Sequence, residues 1–326
     1  MSRFQNYSTG ALGRVLGLFR KQKALAALLL IFVLMIFPKT NFYTSYNLID
    51  MLNSGATLLI LAFGVTFTVI CGACDLSVGG IMVGAGILTI KLMDFLPIGL
   101  AIFAALVFGA MVGVVNAFFV VHQKTEPFII TLGTGLLLTG LCQVLTDSKP
   151  VSPTNPVFMR IANDTLVWKF TNLVLITLVV FVLMHLLLRH TAYGRNCYAI
   201  GGDYEVARYS GIKVIQVKSL AFVLCGVMAA LAGVLLSSKL NSGNYVYGQT
   251  TALVVNCGVV VGGVSFSGGV GSIPQAALGL LVFAVLDNCM NMLGVSSYLQ
   301  TLIKGLAIVG IIWLDSYTQK REREDV

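Results

Sequence analysis

A chain of 326 residues with 57% hydrophobic and only 10% charged residues has too little polar surface to coat a soluble globule, and its mean hydropathy of +0.90 places it in a bilayer. At roughly 20 residues per membrane helix it holds at most about a dozen spans, so most of its length is membrane domain. The net charge of +8 calls for no nucleic-acid partner, which would need a basic patch on a soluble fold.

Apolar runs predict helices near 24 to 38, 56 to 73, 76 to 92, 96 to 121, 127 to 145, 167 to 188, 219 to 236, 251 to 266, 272 to 292 and 296 to 314. The first run lacks a small-residue cleavage site and is followed by Pro38-Lys39, so it is expected as a retained span rather than a signal peptide. The second and third are shorter than a normal span, which points to backbone turning within the membrane, where protein or a water-filled cavity must surround it. Basic residues collect at Arg3, Arg14, Arg20, Lys21 and Lys23, in the loop after helix six (Arg189, Arg195, Arg208, Lys213, Lys218) and at Lys320, Arg321 and Arg323. Cytoplasmic loops carry such an excess, so these segments share the cytoplasmic face, and loops 39 to 55, 146 to 166 and 237 to 250 lie outside. The expected fold is all-α and polytopic, with about ten transmembrane helices and both termini cytoplasmic: a segment 1–23, a transmembrane domain 24–315 with a cytoplasmic loop 189–218, and a tail 316–326.

In the stretch "CGACDLSVGG", Asp75 is the only charged residue between Asp50 and Lys91. One reading makes it an N-cap for the third helix, its carboxylate accepting from orphan N–H groups. The other adds a place in a gate or pathway wall together with Ser77, because ionisable residues inside membranes are costly and face the bundle interior. Cys71 and Cys74 have CxxC spacing, yet no βαβ pattern and no second ligand pair accompany them, so they read as packing residues. Seven cysteines, mostly in helices, do not make a disulfide framework, and no metal site is expected.

Enzymatic signals are weak: HExxH is absent, and the glycine-rich run Gly262 to Ser272 lacks the lysine that would reach a nucleotide phosphate. No catalytic residue and no cofactor are expected on the chain. That run and the Asp75 stretch each interrupt paired apolar spans, over 251 to 292 and 57 to 91, a pattern found at translocation sites. Glycines as in Gly109-xxx-Gly113 equally allow close helix packing.

In the last helix pair, Asp287 and Asn291 share a face, and counting outward from a short turn near Leu293 to Val295 brings Asp287 level with Lys304. An ion pair is expected there, neutralising charges that each cost about 2.5–3.5 kcal/mol at the bilayer centre. In the cytoplasmic loop, Asp203 is a fair N-cap, Tyr204 to Ser210 make two helical turns, and Gly211 suits the C′ position.

"GACDLSVGG" resembles the GxDLSVG signature of the ribose-type permeases of bacterial ATP-binding-cassette sugar importers. "YGRNCYAIGGDYEVARYSGIKV" resembles their cytoplasmic coupling segment, "NMLGVSSYLQTLIKG" is similar to their C-terminal helix pair, and "EPFIITLGT" fits as well. The resemblance implies a multi-pass permease of the bacterial inner membrane, paired with a second, identical permease. An ATP-binding subunit beneath carries ATP and Mg, and a periplasmic sugar-binding protein docks above. Asp203, Tyr204, Glu205, Val206, Ala207, Arg208 and Gly211 would then contact the ATPase as a coupling helix. One departure stands out: typical members carry an "ELDAIAAVVLGG"-like stretch, where this chain has Ala252 to Gly263 with Asn256 and Cys257 in place of small apolar residues.

Sugar hydroxyls need hydrogen-bonding partners when they leave water, and Asn256, Ser265, Asn288 and Asn291 are candidate lining groups. Tyr245 and Tyr247, in the outer loop, suit docking of the binding protein or anchoring at the lipid interface. The expected substrate is a monosaccharide of the ribose or allose kind. The competing reading is a self-sufficient ion-coupled transporter of a small polar solute, with Asp75 and Asp287 as its intramembrane carboxylates. A membrane-embedded hydrolase is a third, for which Ser265 and Ser267 have no identifiable base.

Overall fold

The computed structural model describes residues 23–37, 41–167, 169–307 and 309–310. Its helices are α1 (Lys23–Leu34), α2 (Ser45–Ile70), α3 (Val78–Leu92), α4 (Ile98–Ala117), α5 (Pro127–Thr146), α6 (Val157–Asn163), α7 (Asn172–His190), α8 (Ala192–Gly202), α9 (Tyr204–Tyr209), α10 (Val214–Leu240), α11 (Thr251–Val261) and α12 (Ile273–Met292). A further helix, α13, covers 297–307. A small antiparallel hairpin, β1 (Thr165–Val167) and β2 (Phe170–Thr171), leads into α7. Among the described residues, six helices are long and apolar enough to cross a membrane: α2, α4 with its extension to His122, α5, α7, α10 and α12. The protein is therefore a helical, polytopic membrane protein. Residues 1–22 and 311–326, whose basic side chains carry part of the orientation argument, lie outside the described residues.

Several helix ends differ from the expected ones. α2 starts at Ser45 rather than near 56, because Thr44 caps it, its hydroxyl accepting from the Asn47 amide at 3.3 Å. Asn47, Asp50 and Asn53 make its opening turns look like loop. With 26 residues, α2 is roughly 39 Å long and is no short span, whereas α3, with 15 residues, reaches only roughly 22 Å. The shortfall expected of both helices therefore falls on α3 alone. Polar residues similarly hide the ends of α10, which runs five residues earlier and four later than the apolar run 219 to 236. α11 stops at Val261, and 264–271 folds back on itself through Ser265 N–H to Val270 O (3.0 Å) and Gly268 N–H to Ser265 O (3.0 Å).

α10 is the hub, packing most extensively on α4, α2 and α3. Its approach to α4 relies on small residues: a Cβ on Gly109 would overlap the Gly226 carbonyl, as the close-packing reading of Gly109-xxx-Gly113 requires.

The three loops expected on one face do meet at one end of the bundle. Val151 and Gly243 exchange backbone hydrogen bonds of 2.9 and 2.8 Å. Ser238 Oγ donates to Phe158 O (2.6 Å) and accepts from Ala162 N–H (3.1 Å), and Lys239 Nζ donates to Asn53 O (3.0 Å). The C-terminus of α2, α8, α9 and the 262–272 loop gather at the other end.

Candidate functional site

The break between α2 and α3 is built before it is functional. α2 ends in a left-handed turn: Gly72 takes φ +71, Gly72 N–H donates to Val69 O and Ala73 N–H to Thr68 O, both at 2.9 Å. The chain then runs without regular structure to Ser77, the residue that occupies the N-cap position of α3. Asp75 is therefore not the N-cap expected from sequence. Its Oδ1 accepts from Ser77 N–H (2.9 Å) and Ser77 Oγ (2.6 Å), closing an Asx turn just ahead of the helix. The residue has 0% exposure, and Oδ2 has no hydrogen-bonding partner among the described residues.

Neighbouring helices hold this turn by its polar atoms. Asn116 of α4 donates to Ser77 Oγ (2.8 Å) and accepts from Thr134 Oγ1 of α5 (2.9 Å). Thr131 of α5 accepts from Leu76 N–H at 3.0 Å. Asn256 of α11 donates to Asp75 O (2.9 Å) and accepts from the Cys74 thiol (3.3 Å). The structure thus brings together Asp75, Ser77 and Asn256 among the residues singled out from sequence. It adds Asn116, Thr131 and Thr134, which sequence reading missed. Asn116 had left a signal as the only strongly polar side chain in α4.

The other lining candidates lie elsewhere. Asn288 forms a reciprocal amide pair with Asn47 of α2, at 3.0 and 2.8 Å. Asn291 accepts from Gln300 Nε2 at 2.8 Å. These partners lie away from the break, so the structure does not bring Asn288 or Asn291 together with Asp75. Ser265 sits in the folded-back loop, its hydroxyl accepting from Ser267 N–H at 3.2 Å. Lys304 Nζ lies 2.7 Å from Asp287 Oδ1, joining α13 to α12.

At the same end as the break, Asp203 caps α9, its carboxylate accepting from Val206 N–H at 3.0 Å, and Gly211 follows with φ +81. Ala207 packs inward at 3% exposure while Tyr204, Val206 and Tyr209 face outward, Tyr209 at 84%. Glu205 and Arg208 approach to 3.8 Å on the surface, a contact too exposed to contribute much. A cavity of about 500 Å³ opens between α9 and the break, lined by Cys74, Lys124, Glu126, Tyr204, Lys218 and Phe266 among others.

The sequence model of the family described as branched-chain amino acid transport system / permease component matches residues 47–312. The ribose import permease protein RbsC of Escherichia coli (strain K12) is 34% identical over 307 residues, covering 92% of this chain and 94% of its own. That of Bacillus subtilis (strain 168) is 36% identical, covering 93% and 92%. The L-arabinose transport system permease protein AraH of Escherichia coli (strain K12) is 32% identical over 287 residues, covering 87% and 86%. The chain belongs to the ribose-type family of sugar permeases of ATP-binding-cassette transporters.

In this permease one of the two most specific family motifs, Gly72 to Gly80, is the segment that folds into the break. Of the two residues noted as departing from the family pattern, Asn256 and Cys257, the first makes direct contact with it.

Proposed function

We propose that the permease imports a monosaccharide across the bacterial inner membrane as a homodimer. An ATP-binding subunit, carrying ATP and Mg, docks on its cytoplasmic side and a periplasmic sugar-binding protein on the other. On this reading the chain has ten spans, with α1, α3, α11 and α13 crossing only part of the lipid or tilting within the bundle, and with both termini cytoplasmic. The segment over 203–211 is the coupling helix, and Asp75, Ser77 and Asn256 flank the pathway. The substrate is a pentose or hexose of the ribose or allose kind; the relatives named for ribose, L-arabinose and xylose favour a pentose. Selectivity resides mainly in the binding protein, since a site in the membrane must also release its sugar.

The observation that carries this reading is the outward face of α9. A helix closed at both ends by its own caps presents Val206 and Tyr209 to solvent, with Tyr204 at the edge of the cavity towards the break. Such a rigid, apolar, charge-flanked element suits a groove on a partner and transmits its motion as a body. In the reconstituted complex, Glu205→Lys together with Arg208→Glu should lower ATP-driven uptake at least about tenfold, as expected when like charges oppose a docked face. Uptake at the wild-type rate would remove the coupling role from this helix. Sugar accumulation driven by an ion gradient in liposomes lacking any ATPase would instead favour the ion-coupled alternative.

A further inference from the structure

Three chain segments meet backbone to backbone behind the coupling helix. At the end of α8, a Cβ on Gly201 would overlap both the Ile70 carbonyl oxygen and the Gly269 nitrogen. Gly269 N–H donates to that same Ile70 oxygen at 2.9 Å. Gly268 (φ +87) lies so close that a Cβ on it would stand 2.9 Å from Gly201 Cα and 3.1 Å from the Gly72 nitrogen. Tyr198, one turn earlier in α8, donates its hydroxyl to Gly271 O at 2.7 Å. The second glycine-rich run is therefore wedged between α8 and the C-terminus of α2.

We propose that this glycine clamp, formed by Gly201, Gly268 and Gly269 and fixed by Tyr198, is the connection through which movement of α9 reaches the break that carries Asp75. The inference rests on the ATP-driven reading above and adds positioning residues to it. The physical reason is stiffness. Side chains in ordinary contact absorb a small displacement by changing rotamer, whereas backbone atoms in contact have no such slack. α9 follows α8 with only Asp203 between them and packs against it, which ties a shift of one to the other. A shift at Gly201 must displace Ile70 or break the Gly269–Ile70 hydrogen bond. From Ile70 the double hydrogen-bonded turn at Gly72 and Ala73 carries the shift onward to Asp75. The contact pattern also explains why three glycines are needed here, for none of these positions has room for a larger residue.

The test is the amount of sugar taken up per ATP hydrolysed by the reconstituted complex. Tyr198→Phe removes one hydroxyl from the clamp and nothing from the ATPase, and should lower this ratio roughly 3- to 10-fold, the range one net hydrogen bond supports. Gly201→Ala should lower it more than about tenfold through overlap with Ile70. Gly202→Ala serves as control: its Cβ would meet nothing within 4 Å, and the ratio should stay at the wild-type value. A wild-type ratio in Tyr198→Phe overturns the proposal, and so does an equal loss in Gly201→Ala and Gly202→Ala. If the wild-type complex itself shows no ATP-dependent uptake, the transport reading fails. The clamp is then decided on the purified permease by hydrogen exchange over 71–77. Faster exchange in Tyr198→Phe but not in Gly202→Ala supports it, and unchanged exchange in Tyr198→Phe overturns it.

Discussion

Asp75 is a carboxylate in apolar sequence whose two oxygens lead different lives. Oδ1 is bound twice by Ser77, while Oδ2 is buried with no hydrogen-bonding partner among the described residues. The turn needs the acceptor; it does not need the charge. Asp75→Asn keeps an acceptor at Oδ1 and is expected to assemble with thermal stability in detergent at or above the wild-type value. Asp75→Ala leaves Ser77 N–H and the Ser77 hydroxyl without their acceptor and should cost about 1–3 kcal/mol. Uptake by Asp75→Asn then separates the two roles: preserved uptake leaves the residue a turn-former, and lost uptake with intact assembly assigns the charge to gating. The Asn256 amide makes a similar point at the same place. It holds the carbonyl of Asp75 rather than its carboxylate, so its contribution is to the position of the break.

Among the elements, α9 and the α12–α13 pair show best what sequence reveals. Asp203, Gly211 and the level of Asp287 with Lys304 were legible because each depends on residues close in the chain or on simple helix counting. The amide pair Asn47–Asn288 spans 241 positions and the Asn256–Asp75 contact 181, and no local pattern announces either. Helix centres were legible as apolar runs, whereas polar side chains in the first turns of α2 and α10 concealed their ends. Two measurements belong at this scale. Asp203→Ala should remove about 1 kcal/mol of helix stability through the lost cap, seen as weaker association with the ATPase subunit and little change in permease folding. Asp287→Asn and Lys304→Met should each lower assembly, because each leaves a charge without its counterpart, and the double change should restore most of it. If the double variant is as poor as the singles together, the 2.7 Å contact has no energetic weight.

Over the whole molecule, the bundle has two unlike ends. One is laced by backbone and side-chain hydrogen bonds among the 151, 160, 238 and 243 regions, and the other is joined by glycine contacts behind α9. The sequence placed the right loops together by counting basic residues, since charge distribution is a property of the whole chain. It gave no sign that α10 would stand at the centre, because an apolar helix looks alike whether its neighbours are protein or lipid. That central position has a consequence for synthesis. α2, α3 and α4 leave the ribosome well before residue 240, so the surface on which they pack is missing while they enter the membrane. Until α10 arrives, Asp75 has only part of its surroundings and the small faces of α4 have nothing to meet. The first half of the permease therefore enters the bilayer without its central helix, held by the packing of α3 on α4 and α5. Nascent chains halted before 214 should be degraded by membrane proteases much faster than chains halted after 240, which pulse-labelling of the arrested fragments would reveal.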